Sequence, residues 1–117
     1  MKRKTIRNKL DKKVGEIVRS KGYCVKCGKD DYSKLQACHI FSRKNLSTRW
    51  DLDNVICMCA GCHFFSHQNP VLFGEFVKQY LGELRYEALK ARATAIKKWR
   101  DEELIKYYEV LNKLPEP

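Results

Sequence analysis

The sequence lacks any long apolar stretch. No run among its 117 residues approaches the roughly 18–20 apolar residues that a membrane span needs. The N-terminal residues 1–7 also lack the apolar core of a secretory signal. We therefore expect a cytoplasmic protein that neither spans a membrane nor is secreted.

Acidic side chains are scarce in the first quarter of the chain. The 24 Lys and Arg residues outnumber the 14 Asp and Glu residues, for a net charge of +10. Residues 1–29 hold 11 basic and 2 acidic side chains, so nearly all of the excess lies there. Such an excess attracts polyanions, because each neutralised phosphate releases condensed counterions. A solvated basic tail is the simpler alternative, but the clustering favours nucleic-acid binding. The candidate phosphate-binding residues are Lys2, Arg3, Lys4, Arg7, Lys9, Lys12, Lys13, Arg43 and Arg49.

Glycine and proline are few, and they divide the first part of the chain. Apolar residues from Ile6 to Val18 recur at helical spacing and predict a basic amphipathic helix that ends at Lys21-Gly22. Residues 35–41 and 54–58 fit two short strands separated by a polar loop. A short helix is expected to begin near Ala60-Gly61.

The C-terminal part of the chain is expected to be helical. Asn69-Pro70 suits a helix start, and the helix should run to Leu81. The apolar contacts expected on it are Val71, Leu72, Phe73, Phe76, Val77 and Tyr80. Residues 83–114 contain neither Gly nor Pro, which predicts one long helix or two with a bend near Arg100-Asp101. A stripe formed by Leu104, Tyr107, Leu111 and Leu114 suits intramolecular packing or, alternatively, a dimer seam.

Six cysteines occur without any sign of secretion, so metal binding is favoured over disulfides. Cys24-x-x-Cys27 and Cys59-x-x-Cys62 are two knuckles of the kind that supplies four thiolates to tetrahedral zinc. The simpler alternative is that these cysteines are small buried apolar residues. Cys57 lacks the spacing to Cys62 and is expected in the core.

The three histidines fall within 29 residues, in the order His39, Asn54, His63, His67 once the intervening asparagine is included. His63 and His67 are four residues apart on a predicted helix, so they share a face, as a bidentate metal site requires.

Residues 24–67 resemble the HNH (ββα-metal) endonucleases. The segments that carry the likeness are Leu35–Arg43 (LQACHIFSR), Thr48–Asn54 (TRWDLDN) and Cys59–His63 (CAGCH), which look like phage HNH proteins including the NinG/Rap recombination group. The resemblance implies an α+β fold, a small ββα core stapled by a zinc ion on four cysteines. The single expected domain comprises a basic helix (1–22), the zinc-stapled core (23–69) and a helical extension (70–117).

The resemblance also implies roles for individual residues. His39 would be the general base, Asn54 would hold the loop that orients it, and His63 with His67 would bind a catalytic Mg²⁺, Mn²⁺ or transition-metal ion beside the structural zinc. Many relatives place a metal-binding His or Asp where this chain has Cys38. Cys38 either ligates a soft metal or packs inward, and we favour inward packing.

Two functions remain open from the sequence. The first is a metal-dependent endonuclease that nicks or cleaves DNA, phage-encoded and acting in a bacterial cytoplasm with recombination or packaging proteins as further partners. The second is a catalytically idle zinc module that binds nucleic acid. We favour the enzyme, because only catalysis needs His39, Asn54 and His63 together.

Overall fold

The computed structural model describes residues 2–114. Within them, five helices surround a two-stranded antiparallel sheet, so the expected α+β class is confirmed. The elements are α1 (Arg3–Arg19), a 3₁₀ turn (Tyr32–Lys34), β1 (Leu35–His39), β2 (Val55–Cys59), α2 (Ala60–Gln68), α3 (Pro70–Leu81), α4 (Glu83–Thr94) and α5 (Asp101–Asn112). None of the helices in this range has the length and apolar character of a membrane span.

The sheet places the candidate site at one end of a hairpin. Leu35 pairs with Cys59 and His39 with Val55, so the 15-residue connection between the strands emerges beside His39. All five residues of β2 are buried, which shows that both faces of this strand are covered. α2 follows β2 without a loop. The hairpin and α2 therefore bring His39, Asn54 and the first turn of α2 close together.

α1 forms one wall of the core, as its periodicity predicts. Ile6, Leu10, Val14 and Val18 are buried on the face that packs against the sheet and α5. Its cationic residues lie mainly on the opposite side, since most of them are exposed. Arg3 also pairs with Asp101 at the start of α5 (2.7 Å).

α3 begins and ends where expected, but part of its predicted apolar face is exposed. Phe73, Val77 and Leu81 are buried because their four-residue spacing keeps them on one stripe. The prediction is wrong for Val71 and Leu72, which are exposed because they lie outside that stripe. Tyr80 is partly exposed but stacks on Phe76. Asn69 occupies the N-cap position, yet its side chain makes no capping bond to α3 and donates instead to the Phe65 carbonyl of α2 (3.3 Å).

The C-terminal segment forms two helices, with an extended connection (residues 95–100) in place of a bend. Trp99 explains the break, because its indole N–H donates to the Leu46 carbonyl (2.9 Å) and its ring packs edge-on against Trp50. Leu104 and Leu111 are buried in the core that α5 shares with α1, so this stripe packs within the chain. Leu114 is exposed at the end of the same stripe.

Candidate functional site

Four cysteines meet at the junction of the first knuckle with the start of α2. The thiol sulfurs of Cys24, Cys27, Cys59 and Cys62 all lie within 4.8 Å of one another, and those of Cys27 and Cys59 are 3.7 Å apart. Tetrahedral zinc with Zn–S distances near 2.3 Å separates its sulfurs by about 3.8 Å. The donor set and spacing therefore fit one zinc ion, and the predicted grouping of these four cysteines is confirmed.

The backbone around the cluster favours the thiolate form of Cys24 and Cys59, whereas burial raises the pKa of Cys62. Burial opposes ionisation of Cys24, but hydrogen bonds from the backbone N–H groups of Cys59, Cys27 and Lys26 outweigh it and lower the pKa of Cys24 to about 6. The Cys62 backbone N–H, in the first turn of α2, donates to the Cys59 sulfur and lowers the pKa of Cys59. Thiolates are the form that binds metal.

The two remaining cysteines lie outside this cluster. Cys57 is buried in the core, as expected. Cys38 is also buried, with its sulfur 3.7 Å from the Ser66 hydroxyl, and burial raises the pKa of the thiol to about 11. This geometry favours a neutral, inward-packed thiol over a metal ligand.

The three histidines line one open cleft of about 750 Å³ between α1, the hairpin, α2 and α3. His39 comes from the end of β1, and His63 and His67 come from α2. Arg19, Arg43 and Arg49 also line the cleft, and Asp11 is the one acidic residue there among the residues described. The cleft is consequently cationic, as a phosphate-binding site requires.

His39 is held in one tautomer by the backbone. Its Nε2 lies 3.0 Å from the Arg49 carbonyl oxygen, and a carbonyl only accepts, so Nε2 carries the proton and Nδ1 keeps a lone pair. Burial lowers the pKa of His39, although the bond to the Arg49 carbonyl opposes the shift. His39 is therefore neutral at pH 7 and able to accept a proton.

Asn54 ties the connection between the strands to the start of β2. Its side-chain N–H₂ donates to the carbonyls of Phe41 and Thr48 (both 3.0 Å), and its Oδ1 accepts from the Phe41 N–H (2.8 Å). Asn54 is fully buried. Arg49, whose carbonyl holds His39, follows the second of these anchor points directly. These bonds are of the kind that the loop-holding role implied by the HNH resemblance needs.

His63 and His67 lie one turn apart on α2, with ring centroids 5.0 Å from each other. The Nδ1 of His63 donates to Oε1 of Gln36 (2.7 Å), which leaves Nε2 available as a ligand atom. Burial, followed by the nearby His67 and His39, lowers the pKa of His63 and favours the neutral, ligating form. Gln36 was missed from the sequence, because nothing in its position on β1 marks it as a partner of His63.

The predicted nucleic-acid-binding residues divide into two groups. Lys2, Lys4, Lys9 and Lys12 are exposed on or beside α1, whereas Arg7 and Lys13 are half-buried. Arg49 is committed to a bidentate ion pair with Asp11 and its side chain is only 12% exposed. Arg43 makes a longer bond to the same carboxylate (3.2 Å) and is 59% exposed. Arg19, which also lines the cleft, was not anticipated from the sequence.

The family comparison covers the same segment as this geometry. A family model described as HNH endonuclease matches residues 24–68. This segment carries the HNH family pattern. The match begins at the first zinc-knuckle cysteine and ends just beyond His67, so it contains the cysteine cluster and all three histidines. No curated protein and no solved structure matches the chain. α1 and helices α3 to α5 lie outside the HNH segment.

Proposed function

We propose that this protein is a metal-dependent HNH endonuclease that nicks or cleaves DNA by hydrolysing phosphodiester bonds. The observation that carries the proposal is the neutral His39, held by a backbone carbonyl, beside the His63–His67 pair in one cationic cleft. A proton acceptor and an adjacent metal-ligand pair are the two parts that phosphodiester hydrolysis needs.

In the proposed reaction, Nδ1 of His39 takes a proton from a water molecule. The water oxygen forms a bond to phosphorus, and the bond from phosphorus to the departing 3′ oxygen breaks. That oxygen takes a proton from solvent. The Arg49 carbonyl keeps Nε2 protonated throughout, so His39 presents the same lone pair at the start of each cycle.

His63 and His67 would hold the catalytic cation through their ring nitrogens, with waters and phosphate oxygens completing its coordination. A divalent cation bound there would neutralise charge on the scissile phosphate and on the departing oxygen. Two imidazoles suit transition metals better than Mg²⁺, which prefers oxygen ligands. The Gln36 bond to His63 fits this assignment, because metal-binding histidines usually donate their second N–H to an acceptor.

The four-cysteine cluster would hold a structural zinc. Cys59 ends β2 and Cys62 lies in the first turn of α2, so a zinc ion would fix the helix that carries His63 relative to the hairpin that carries His39. The resemblance to phage HNH proteins extends the proposal to a phage-encoded enzyme that acts on DNA in the bacterial cytoplasm alongside recombination or packaging proteins.

Conversion of supercoiled plasmid to nicked or linear DNA tests the proposal. Zinc-loaded protein would be assayed with added Mg²⁺, Mn²⁺, Ni²⁺ or Zn²⁺, and binding to the same DNA would be measured in parallel. We expect cleavage with at least one cation and none with a chelator present. Tight DNA binding without cleavage under every condition would contradict the enzyme and favour the idle zinc module.

A further inference from the structure

Three successive residues of the connection between the strands are each bound by a different part of the fold. The carbonyl of Thr48 accepts from Asn54 (3.0 Å), that of Arg49 from His39 (3.0 Å), and that of Trp50 from the Tyr107 hydroxyl on α5 (2.6 Å). The orientation of the Arg49 carbonyl sets the direction of the His39 ring. Whatever holds residues 49 and 50 therefore bears on the proposed base.

The side chains of residues 49 and 50 converge on Asp11 of α1. The Asp11 carboxylate accepts from Arg49 Nε (2.9 Å), from Arg49 Nη2 (2.6 Å) and from the Trp50 indole N–H (2.8 Å). Arg43 adds a longer and more exposed bond. Asp11 thus binds the side chains of Arg49 and Trp50. It belongs to α1, which lies outside the segment that matches the HNH family.

The hydrogen bonds that Asp11 accepts from Arg49 and Trp50 require a carboxylate, and no other side chain of this size can accept all of them. A bidentate guanidinium–carboxylate pair fixes both distance and angle, and its low exposure reduces screening by solvent. Burial raises the pKa of Asp11, but the bonds from Arg49 and Trp50 outweigh it, so the pKa lies below its usual value and Asp11 is ionised at pH 7. An asparagine in its place would turn an N–H₂ group toward a donor, whichever way its amide faced.

We propose that Asp11 is a positioning residue that orients His39 through Arg49. α1 would then contribute to catalysis in addition to any role in binding phosphates. The HNH segment would depend on α1, which lies outside it, for the alignment of His39. The catalytic part of this inference rests on the proposed function of His39. The structural part, control of the His39 tautomer, does not.

Long-range ¹H–¹⁵N spectra of the histidine rings test the structural part. Zinc-loaded protein without added catalytic metal would be compared with Asp11→Asn, Arg49→Ala and the control Asp101→Asn. The control makes the same chemical change in Asp101, whose carboxylate pairs with Arg3 of α1 and takes no part in the contacts around Arg49. We expect His39 protonated at Nε2 in the wild type and in Asp101→Asn, and a mixture of tautomers in Asp11→Asn and Arg49→Ala.

Kinetics test the catalytic part. Asp11→Asn should lower kcat by about tenfold or more while KM stays within about threefold, because a misaligned base slows the reaction without weakening substrate binding. The double variant Asp11→Asn/Arg49→Ala should be no slower than the slower single variant, since both changes break one pair.

Each outcome decides the inference. A wild-type His39 tautomer in Asp11→Asn, or single effects that multiply in the double variant, would overturn it. If Asp11→Asn does not fold, Arg49→Ala supplies the same spectral test. If the wild type fails to cleave DNA, the proposed function fails, while the spectra still decide whether Asp11 orients His39.

Discussion

Replacing Asn54 with Ala should reduce stability by an amount that can be worked out from its bonds. The N–H and the carbonyl of Phe41 would each lose the partner that Asn54 supplies. The Thr48 carbonyl would keep one partner, the Asp51 N–H (3.1 Å). At about 1–3 kcal/mol for each backbone group left unpaired in a buried setting, the two groups of Phe41 give a loss of about 2–6 kcal/mol. That is a large share of the stability of a small domain.

Urea unfolding at a fixed zinc concentration measures this loss. The matched control is Asn8→Ala, the same substitution at an exposed position of α1, which should change stability by less than about 1 kcal/mol and in the favourable direction because Ala is the better helix former. A loss below about 1 kcal/mol for Asn54→Ala would refute the reasoning, because it would mean that the loop does not depend on the Asn54 side chain.

Further predictions concern the zinc, a buried hydroxyl, Cys38 and the basic face. Purified protein should contain about one zinc per chain, and chelation should abolish or sharply lower the thermal transition; an unchanged transition would contradict a structural role. Within residues 2–114, the Thr48 hydroxyl is buried without a partner, so Thr48→Val should keep or raise stability by up to about 1 kcal/mol in thermal melts, and a clear loss would reveal an unseen bond. Cys38→Ala should keep the nicking rate and the ranking of metals; a loss above about tenfold with every metal would contradict a bystander role, and a loss confined to Zn²⁺ or Ni²⁺ would make Cys38 a ligand. Replacing Lys2, Lys4 and Lys12 with Gln should flatten the slope of log affinity against log salt by about 2.7 if all three contact phosphates. The same change at Lys90, Lys98 and Lys106 is the control, and equal slopes would place the DNA elsewhere.

The local patterns of the sequence predicted most of the fold that positions the site. Helical periodicity gave α1, the strand signals gave the hairpin to within two residues, and the paired cysteine spacing gave the cluster. These features depend on neighbours in the chain, so they can be read from short windows. The contacts that could not be predicted from the sequence join residues that lie far apart in the chain. Asp11 and Arg49 are 38 residues apart, and no local pattern marks an aspartate on a basic helix as a partner of a loop arginine.

The break between α4 and α5 shows the same limit. Residues 95–100 contain no Gly or Pro, and their local propensity allows a helix. The bond from Trp99 to Leu46 and its packing on Trp50 hold the segment extended. Tertiary contacts thus override helix propensity in this segment, because Trp99 binds two residues of the connection between the strands, Leu46 and Trp50.

The rate of DNA cleavage by His39→Ala, measured together with its DNA affinity and zinc content, tests the central claim most directly. The alanine removes the proposed base but leaves the cysteine cluster, the α2 histidines and the basic face in place. We predict that cleavage is abolished while DNA affinity and zinc content match the wild type. A variant that retains zinc and cleaves within about threefold of the wild-type rate would contradict the assignment of His39 as the base.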